Sequence, residues 1–220
     1  MKTMPEIEVL DRVPEIRVPP GKLGAILELI VRDKSGRVTE HQMMRSESFV
    51  KQFLQALWMH MTYMPNSGSA PINYVKAFKD TDGNNFYSDC KSDDWRTNAG
   101  VGATGYGILV GTGATAPTIN DFKIEALIAH GVGAGQLQYS AVTFGAPAAD
   151  ASTSQFTITR DFANGSGGSI TVREIGLAVQ LKDLSSTPAA HYILTIRDAV
   201  NITIPTGQTL TVNYRIQAVV

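Results

Sequence analysis

The sequence predicts a mainly β protein, an antiparallel β-sandwich or jelly roll with one amphipathic α-helix near residues 46–64 and an extended N-terminal arm. From Val101 onward, short β-prone runs are separated by clusters of Gly, Ser, Thr and Pro, as is typical of such folds. Several runs alternate apolar and polar residues, which favours antiparallel strands with one buried face. Only 18% of the 220 residues are charged and 20 are glycine, so we expect a turn-rich protein whose surface is largely covered by other chains.

Residues 1–22 are predicted to form the arm, and residues 23–220 a single sandwich domain with the helix inserted. Four prolines, at positions 5, 14, 19 and 20, disfavour a helix or a central strand here but allow an extended chain. A leader without fixed structure fits the same prolines. The interleaved aliphatic residues instead favour an arm that docks along its own domain or a neighbour, and the candidate assembly contacts are Ile7, Val9, Val13, Ile16 and Val18.

A hairpin and a helix should follow the arm. Two β-rich runs, Gly24–Arg32 and Val38–Met44, flank a tight turn. Ser46 is a suitable N-cap and Glu47 suits the positive first turn of a helix. Helical spacing of the next apolar residues predicts a stripe that packs in the core and covers one open face or end of the sandwich. This stripe comprises Phe49, Val50, Phe53, Leu54, Leu57, Trp58 and Met61.

The remaining chain is predicted to be mostly strands. A second hairpin joins Tyr74–Phe78 to Phe86–Ser88, and Ile119–His130 fits either a short helix or a loop followed by a strand. Six further strands are expected at Gly105–Gly111, Gln136–Phe144, Ser154–Phe162, Ser169–Leu181, His191–Asp198 and Gln208–Gln217.

Composition argues against several functional classes. The net charge of −1 provides no general attraction for nucleic acid or an anionic membrane. The single cysteine, Cys90, cannot form an internal disulfide or a cysteine-rich zinc site. The N-terminus lacks the apolar core of a signal peptide, and the most apolar run, residues 49–64, is too short to span a bilayer. We therefore expect synthesis in the cytoplasm, and neither nucleic acid nor membrane as a partner.

Two motifs suggest ligands but are better explained as turns. Gly100–Gly105 matches the letters of a dinucleotide fingerprint, yet a strand-like segment follows where that site needs a helix. Asp80, Asp82 and Asn84 resemble the start of a calcium loop, but the glycine stands at the fourth place instead of the sixth and Lys91 occupies the twelfth. A hairpin turn explains the same residues. Weak metal binding across Asp80–Asp94 stays open, and no cofactor is expected.

No catalytic constellation stands out. The four histidines are scattered, and the Gly-x-Ser-x-Gly elbow of a serine hydrolase is missing. We therefore predict that the protein is not an enzyme and assign no catalytic residue, although a hydrolase with dispersed carboxylates would leave no local motif. Aromatic residues concentrate near one polar loop, where Tyr87 and Trp95 are the candidate exposed binding aromatics of a carbohydrate- or receptor-binding module.

The C-terminal half resembles structural proteins of tailed-bacteriophage virions. The resemblance covers about residues 106–220 and rests on Tyr106-Gly-Ile-Leu-Val-Gly-Thr-Gly-Ala-Thr, Lys123-Ile-Glu-Ala-Leu, Ile170-Thr-Val-Arg-Glu-Ile-Gly-Leu, Tyr192-Ile-Leu-Thr-Ile-Arg-Asp and Ile204-Pro-Thr-Gly-Gln-Thr-Leu. It implies a capsid decoration, collar, tail or baseplate component that carries no catalytic residues. Such a protein is made in the host cytoplasm, resides in the virion, and binds its own copies and other capsid or tail proteins. Binding of glycans or a receptor is the alternative function.

Overall fold

The computed structural model describes residues 16–46, 48–61, 76–88, 95–183 and 189–220. In these residues the fold is mainly β, with antiparallel sheets and one helix, as the sequence predicts. That helix has 11 residues, so no helix among the described residues is long enough to cross a membrane.

The large sheet is built around three strands of 11 residues each. Its strands are β1 (Lys22–Arg32), β2 (Val38–Ser46), β6 (Gln138–Tyr139), β7 (Thr143–Phe144), β8 (Ala148–Ala149), β9 (Thr153–Ala163) and β12 (Thr209–Val219). Their main order is β2-β1-β12-β9-β6, and β7 and β8 also pair with β9. The turn between β1 and β2 is fixed by Asp33, whose Oδ1 accepts hydrogen bonds from the amides of Ser35 and Arg37.

The small sheet has the order β11-β10-β5, formed by β5 (Gly107–Gly111), β10 (Ile170–Lys182) and β11 (Ala190–Ile204). Residues 48–50 lie along the edge of β11, where the amide of Val50 donates to the carbonyl of Thr195. A separate hairpin joins β3 (Lys76–Lys79) to β4 (Asn85–Ser88), and α1 (Lys51–Met61) packs against β3 and β11.

Both main sheets contribute to one hydrophobic core, an arrangement consistent with a sandwich. Alternate residues of the large sheet enter this core, including Leu27 of β1 and Val212 of β12, and Ile175 and Ile196 enter it from the small sheet. A second, smaller core lies on the other face of the small sheet, where α1 and the β3–β4 hairpin cover it. Strand β10 is therefore buried along most of its length.

The helix differs from its sequence prediction in both its start and its buried face. Ser46 ends β2 instead of capping the helix, which begins at Lys51, because Phe49 and Val50 are held in an extended pairing with β11. Its buried residues are Gln52, Ala56 and Met59. In the predicted stripe, Leu54, Trp58 and Met61 are 62%, 41% and 78% exposed.

Most predicted strands are confirmed within a few residues. The run predicted at 136–144 is divided into two short strands, β6 and β7. For residues 119–130, where a helix and a loop with a strand were both open, the structure shows a loop with isolated bridges at Leu127 and His130. Residues 74 and 75 of the predicted second hairpin lie outside the described residues.

Candidate functional site

The described end of the predicted arm lies on its own domain. Val18 is buried against Gly24 on the large sheet, and its amide donates a hydrogen bond of 3.3 Å to Oε1 of Gln217. Ile16 is half-buried. The other candidate assembly contacts, Ile7, Val9 and Val13, lie outside the described residues.

The two candidate binding aromatics occupy different environments. Tyr87 is 57% exposed on β4. Trp95 is half-buried against the smaller core, and its ring centroid lies 5.9 Å from that of Phe53 and 5.3 Å from that of His60. The amide of Trp95 also donates to the carbonyl of Gln180 on β10. Trp95 therefore holds its loop on the small sheet instead of standing free beside Tyr87.

The glycine-rich segment at 100–105 is a loop ordered by a buried arginine. Arg160 of β9 has 0% exposed surface, and its guanidinium donates to backbone carbonyl oxygens of Gly100, Ala103, Tyr106, Ile108 and Ser140 at 2.7 to 3.4 Å. Burial lowers its pKa to about 10, so the side chain stays charged at neutral pH. It stacks over Tyr139, with Cζ 4.8 Å from the ring centroid. The guanidinium N–H groups therefore serve as hydrogen-bond donors to carbonyl oxygens that would otherwise need a backbone N–H partner.

The aspartate-rich segment begins with a hairpin turn. Oδ1 of Asp80 accepts hydrogen bonds from the amides of Asp82 and Asn84, and Oδ2 lies 2.9 Å from Nδ1 of His191. Despite its desolvation, these hydrogen bonds hold the pKa of the Asp80 carboxyl below its usual value. Residues 89–94, including Cys90, lie outside the described residues. In the part of the chain that the structure describes, no three His, Cys, Asp or Glu side chains are grouped to hold a metal.

A buried ion network fastens the 112–126 loop to the small sheet. Arg197 is only 3% exposed, and its guanidinium contacts Glu174 at 2.9 Å, Asp121 at 2.7 Å and Glu125 at 3.4 Å. The Glu174 carboxylate also accepts hydrogen bonds from the amides of Gly113, Glu125 and Ala126. One cation thus joins three carboxylates, and the loop amides neutralise part of the remaining negative charge.

Four of the sequence stretches from which the phage resemblance was inferred supply residues of this network. Gly113 and Thr115 come from the first, Glu125 from the second and Glu174 from the third, and Arg197 comes from the fourth. A side chain at Gly113 would overlap the carboxylates of Glu174 and Glu125. Only the tertiary structure shows that residues 111–115 bind carboxylates, because Glu174 and Arg197 are distant from them in sequence.

A second buried acid lies between the sheets. Asp198 is 4% exposed, and Oδ2 accepts a 2.8 Å hydrogen bond from the hydroxyl of Tyr214, which is completely buried. Burial raises the pKa of the Asp198 carboxyl to about 6 and outweighs the opposing effect of the Tyr214 hydrogen bond. No sequence pattern marked this pair, because the two residues are on different strands and different sheets.

A small polar cleft opens where α1, the β3–β4 hairpin and the 118–122 loop meet. Its volume is about 220 Å³. Nζ of Lys51 bonds Oδ1 of Asn120 at 3.0 Å, and Nζ of Lys79 lies 4.0 Å from the centroid of the Phe122 ring. The cleft is lined by Lys51, Gln52, Gln55, Phe78, Lys79, Asn85, Asn120, Asp121 and Phe122.

Comparison with known proteins finds no match for this chain among protein-family models, curated proteins or solved structures.

Proposed function

We propose that this protein is a self-associating structural component of a bacteriophage particle, and that it binds the capsid or tail lattice. The observation that carries self-association is an exposed apolar surface at one end of the large sheet, here called the apolar end. It comprises Leu23, Phe144, Phe156 and Val220, which are 56%, 51%, 38% and 85% exposed.

Strand register places the apolar end on the face that elsewhere forms the core. Leu23 lies two residues before the buried Ala25 on β1, and Phe156 lies two residues before the buried Ile158 on β9. Phe144 of β7 stands directly opposite Ile158. Side chains two residues apart on a strand, or directly opposite on paired strands, point to the same face. The core face of the large sheet therefore continues into solvent at this end.

Exposed apolar surface of this kind favours contact with another chain. Contiguous apolar patches are uncommon on soluble monomers and often mark interaction sites. A second copy is the occupant we favour, because symmetric contacts between copies would bury the same apolar side chains on both subunits. The low fraction of charged residues fits a protein with several such contacts. The particle context itself rests on the sequence resemblance in the C-terminal half.

Self-association is tested by sedimentation velocity across a range of protein concentrations. We expect the wild-type chain to form oligomers. The dissociation constant of the Phe144→Ser/Phe156→Ser variant should be at least ten-fold higher than that of the wild type. Val132→Ser is a matched control, because Val132 is 60% exposed on a separate loop. A wild-type chain that stays monomeric, or a double variant that associates as well as the wild type, would refute self-association through the apolar end.

The particle assignment needs a separate measurement. Virions purified from cultures that carry the gene should contain the protein at a fixed ratio to the major capsid protein, as measured by quantitative mass spectrometry. Deletion of residues 1–15 tests the arm without removing Val18, which packs on the large sheet. We expect this deletion to leave the domain folded and to lower incorporation into particles. Virions that lack the protein would contradict the structural role.

A further inference from the structure

We propose that the polar cleft beside α1 is a binding site for an acidic sugar unit, a monosaccharide ring that carries a carboxylate. The cleft is formed by the first turns of the helix, the β3–β4 hairpin and residues 120–122, of which Asp121 belongs to the ion network. This inference goes beyond the structural role and does not depend on it.

The first observation is a buried amide that lacks a partner. Gln52 is 2% exposed and lines the cleft. Its Oε1 accepts a 2.8 Å hydrogen bond from the amide of Lys79, which fixes the orientation of the side chain. If the Gln52 amide were flipped, its NH₂ group would face the N–H of Lys79, and two donors would meet. Nε2 has no hydrogen-bond partner in the structure. A buried donor without a partner costs about 1–3 kcal/mol, and a ligand oxygen that reached Nε2 would remove this cost.

The second observation is the local positive charge. Lys51 and Lys79 both line the cleft, and the first turn of α1 adds the partial positive charge of a helix N-terminus. The one acidic residue in the lining, Asp121, is already bonded to Arg197 at 2.7 Å and to the amide of Thr118 at 2.9 Å. Arg197 offsets only part of this negative charge, because Glu174 and Glu125 share the same cation. The two lysines still outnumber the one carboxylate of the lining, so the cleft favours an anion.

The remaining lining favours a ring with hydroxyl groups. The carboxamides of Gln55, Asn85 and Asn120 also face the cleft, and a carboxamide can both donate to and accept from a hydroxyl. Phe78 and Phe122 add apolar surface for the ring carbons. The volume of about 220 Å³ is below the ~300 Å³ typical of the smallest drug-sized pockets. It suits one sugar ring, whose carboxylate the two lysines would attract.

The experiment is a titration of the full chain with glucuronate, followed by the NMR signals of the Asn and Gln side-chain amides. We expect saturable shifts in the Gln52 amide with a Kd in the millimolar range, as is common for a single small ligand. Glucose is the matched neutral probe and should bind at least ten-fold more weakly. A signal from Gln136, which lies outside the cleft, should stay unchanged.

Two variants locate the site. Gln52→Glu keeps the acceptor for the Lys79 amide but replaces the free donor with a negative charge, and Lys51→Gln removes a cation from the cleft. Each should weaken glucuronate binding at least ten-fold. Lys123→Gln is the control, because Lys123 lies near the Phe122 ring but does not line the cleft. It should change binding less than two-fold.

Three outcomes would overturn the proposal: no saturable shift at the Gln52 amide with glucuronate, equal binding of glucose, or tighter binding of a glutamate-rich peptide than of glucuronate. The last result would assign the cleft to an acidic protein partner instead of a sugar. The wild-type titration answers the question even if a variant fails to fold, because it compares ligands on one protein.

Discussion

Asp198 should make the protein less stable as the pH rises through the acidic range. The perturbation is Asp198→Asn, which keeps an oxygen acceptor for the Tyr214 hydroxyl and removes the ionisable proton. In the wild type, Asp198 is 4% exposed and lies between the two sheets. The ionised Asp198 carboxylate accepts a hydrogen bond from the Tyr214 hydroxyl. Among the described residues no salt bridge to Asp198 is formed.

The magnitude follows from the pKa difference between the folded and unfolded states. The pKa of Asp198 is about 6 in the folded protein, against an ordinary value of 3.8. Because the folded state binds the proton more tightly, its stabilising contribution is fully present below pH 3.8 and is lost as the pH rises through about 6. At about 1.4 kcal/mol per pH unit, the loss is about 3 kcal/mol.

Urea denaturation between pH 4 and pH 8 measures this effect. We expect Asp198→Asn to exceed the wild type in free energy of unfolding by up to about 3 kcal/mol at pH 8. The advantage should shrink towards pH 4, where the wild-type carboxyl is protonated in the folded state. Every measurement needs one protein concentration, because self-association would add to the apparent stability.

The control is Asp82→Asn, at an exposed turn position followed by Gly83. Asparagine is accepted in such turns, so this variant should follow the wild type at every pH. A stability difference between Asp198→Asn and the wild type that is the same at pH 4 and pH 8 would refute the reasoning. It would mean that Asp198 has the same proton affinity in the folded and unfolded states.

The other predictions concern the buried cation of Arg160 and the glycine that admits a carboxylate. Arg160→Met should lower the free energy of unfolding by about 3–5 kcal/mol, because the carbonyl oxygens bonded by Arg160 lose their donor; a loss below about 1 kcal/mol in urea denaturation would contradict this. Gly113→Ala should cost about 1–3 kcal/mol, because its Cβ would overlap the Glu174 carboxylate. The matched control is Gly168→Ala, which meets open space and should change stability by less than about 0.5 kcal/mol. Equal effects of the two glycine substitutions would exclude carboxylate crowding as the cause.

The alternating strands were predictable because their period of two depends only on neighbouring residues. Leu210, Val212 and Tyr214 enter the core as this alternation indicates. In the same alternation Arg160 stands between Ile158 and Phe162 on an otherwise apolar face, but the pattern does not show what the residue binds. Its five acceptors belong to the 100–108 segment and to Ser140, which become neighbours of β9 only through folding.

The helix shows where local periodicity fails. Apolar spacing gave the approximate position of α1, but the structure buries Gln52, Ala56 and Met59 and leaves Leu54 and Met61 exposed. The pairing of residues 48–50 with β11 sets where the helix begins. The adjoining sheet and hairpin then select which face is buried, so a long-range contact outweighs the local hydrophobic pattern.

The β class, most strand positions and the turns could be predicted from the sequence alone, because they depend on residues close together in the chain. Only the tertiary structure determined the candidate sites. The cleft joins α1 to residues 78–85 and 120–122, and the ion network joins Gly113 to Glu174 and Arg197. The apolar end likewise comes from four separate segments of the large sheet. Burial, charge pairing and shape at each place depend on which strands become neighbours, and local spacing does not encode that.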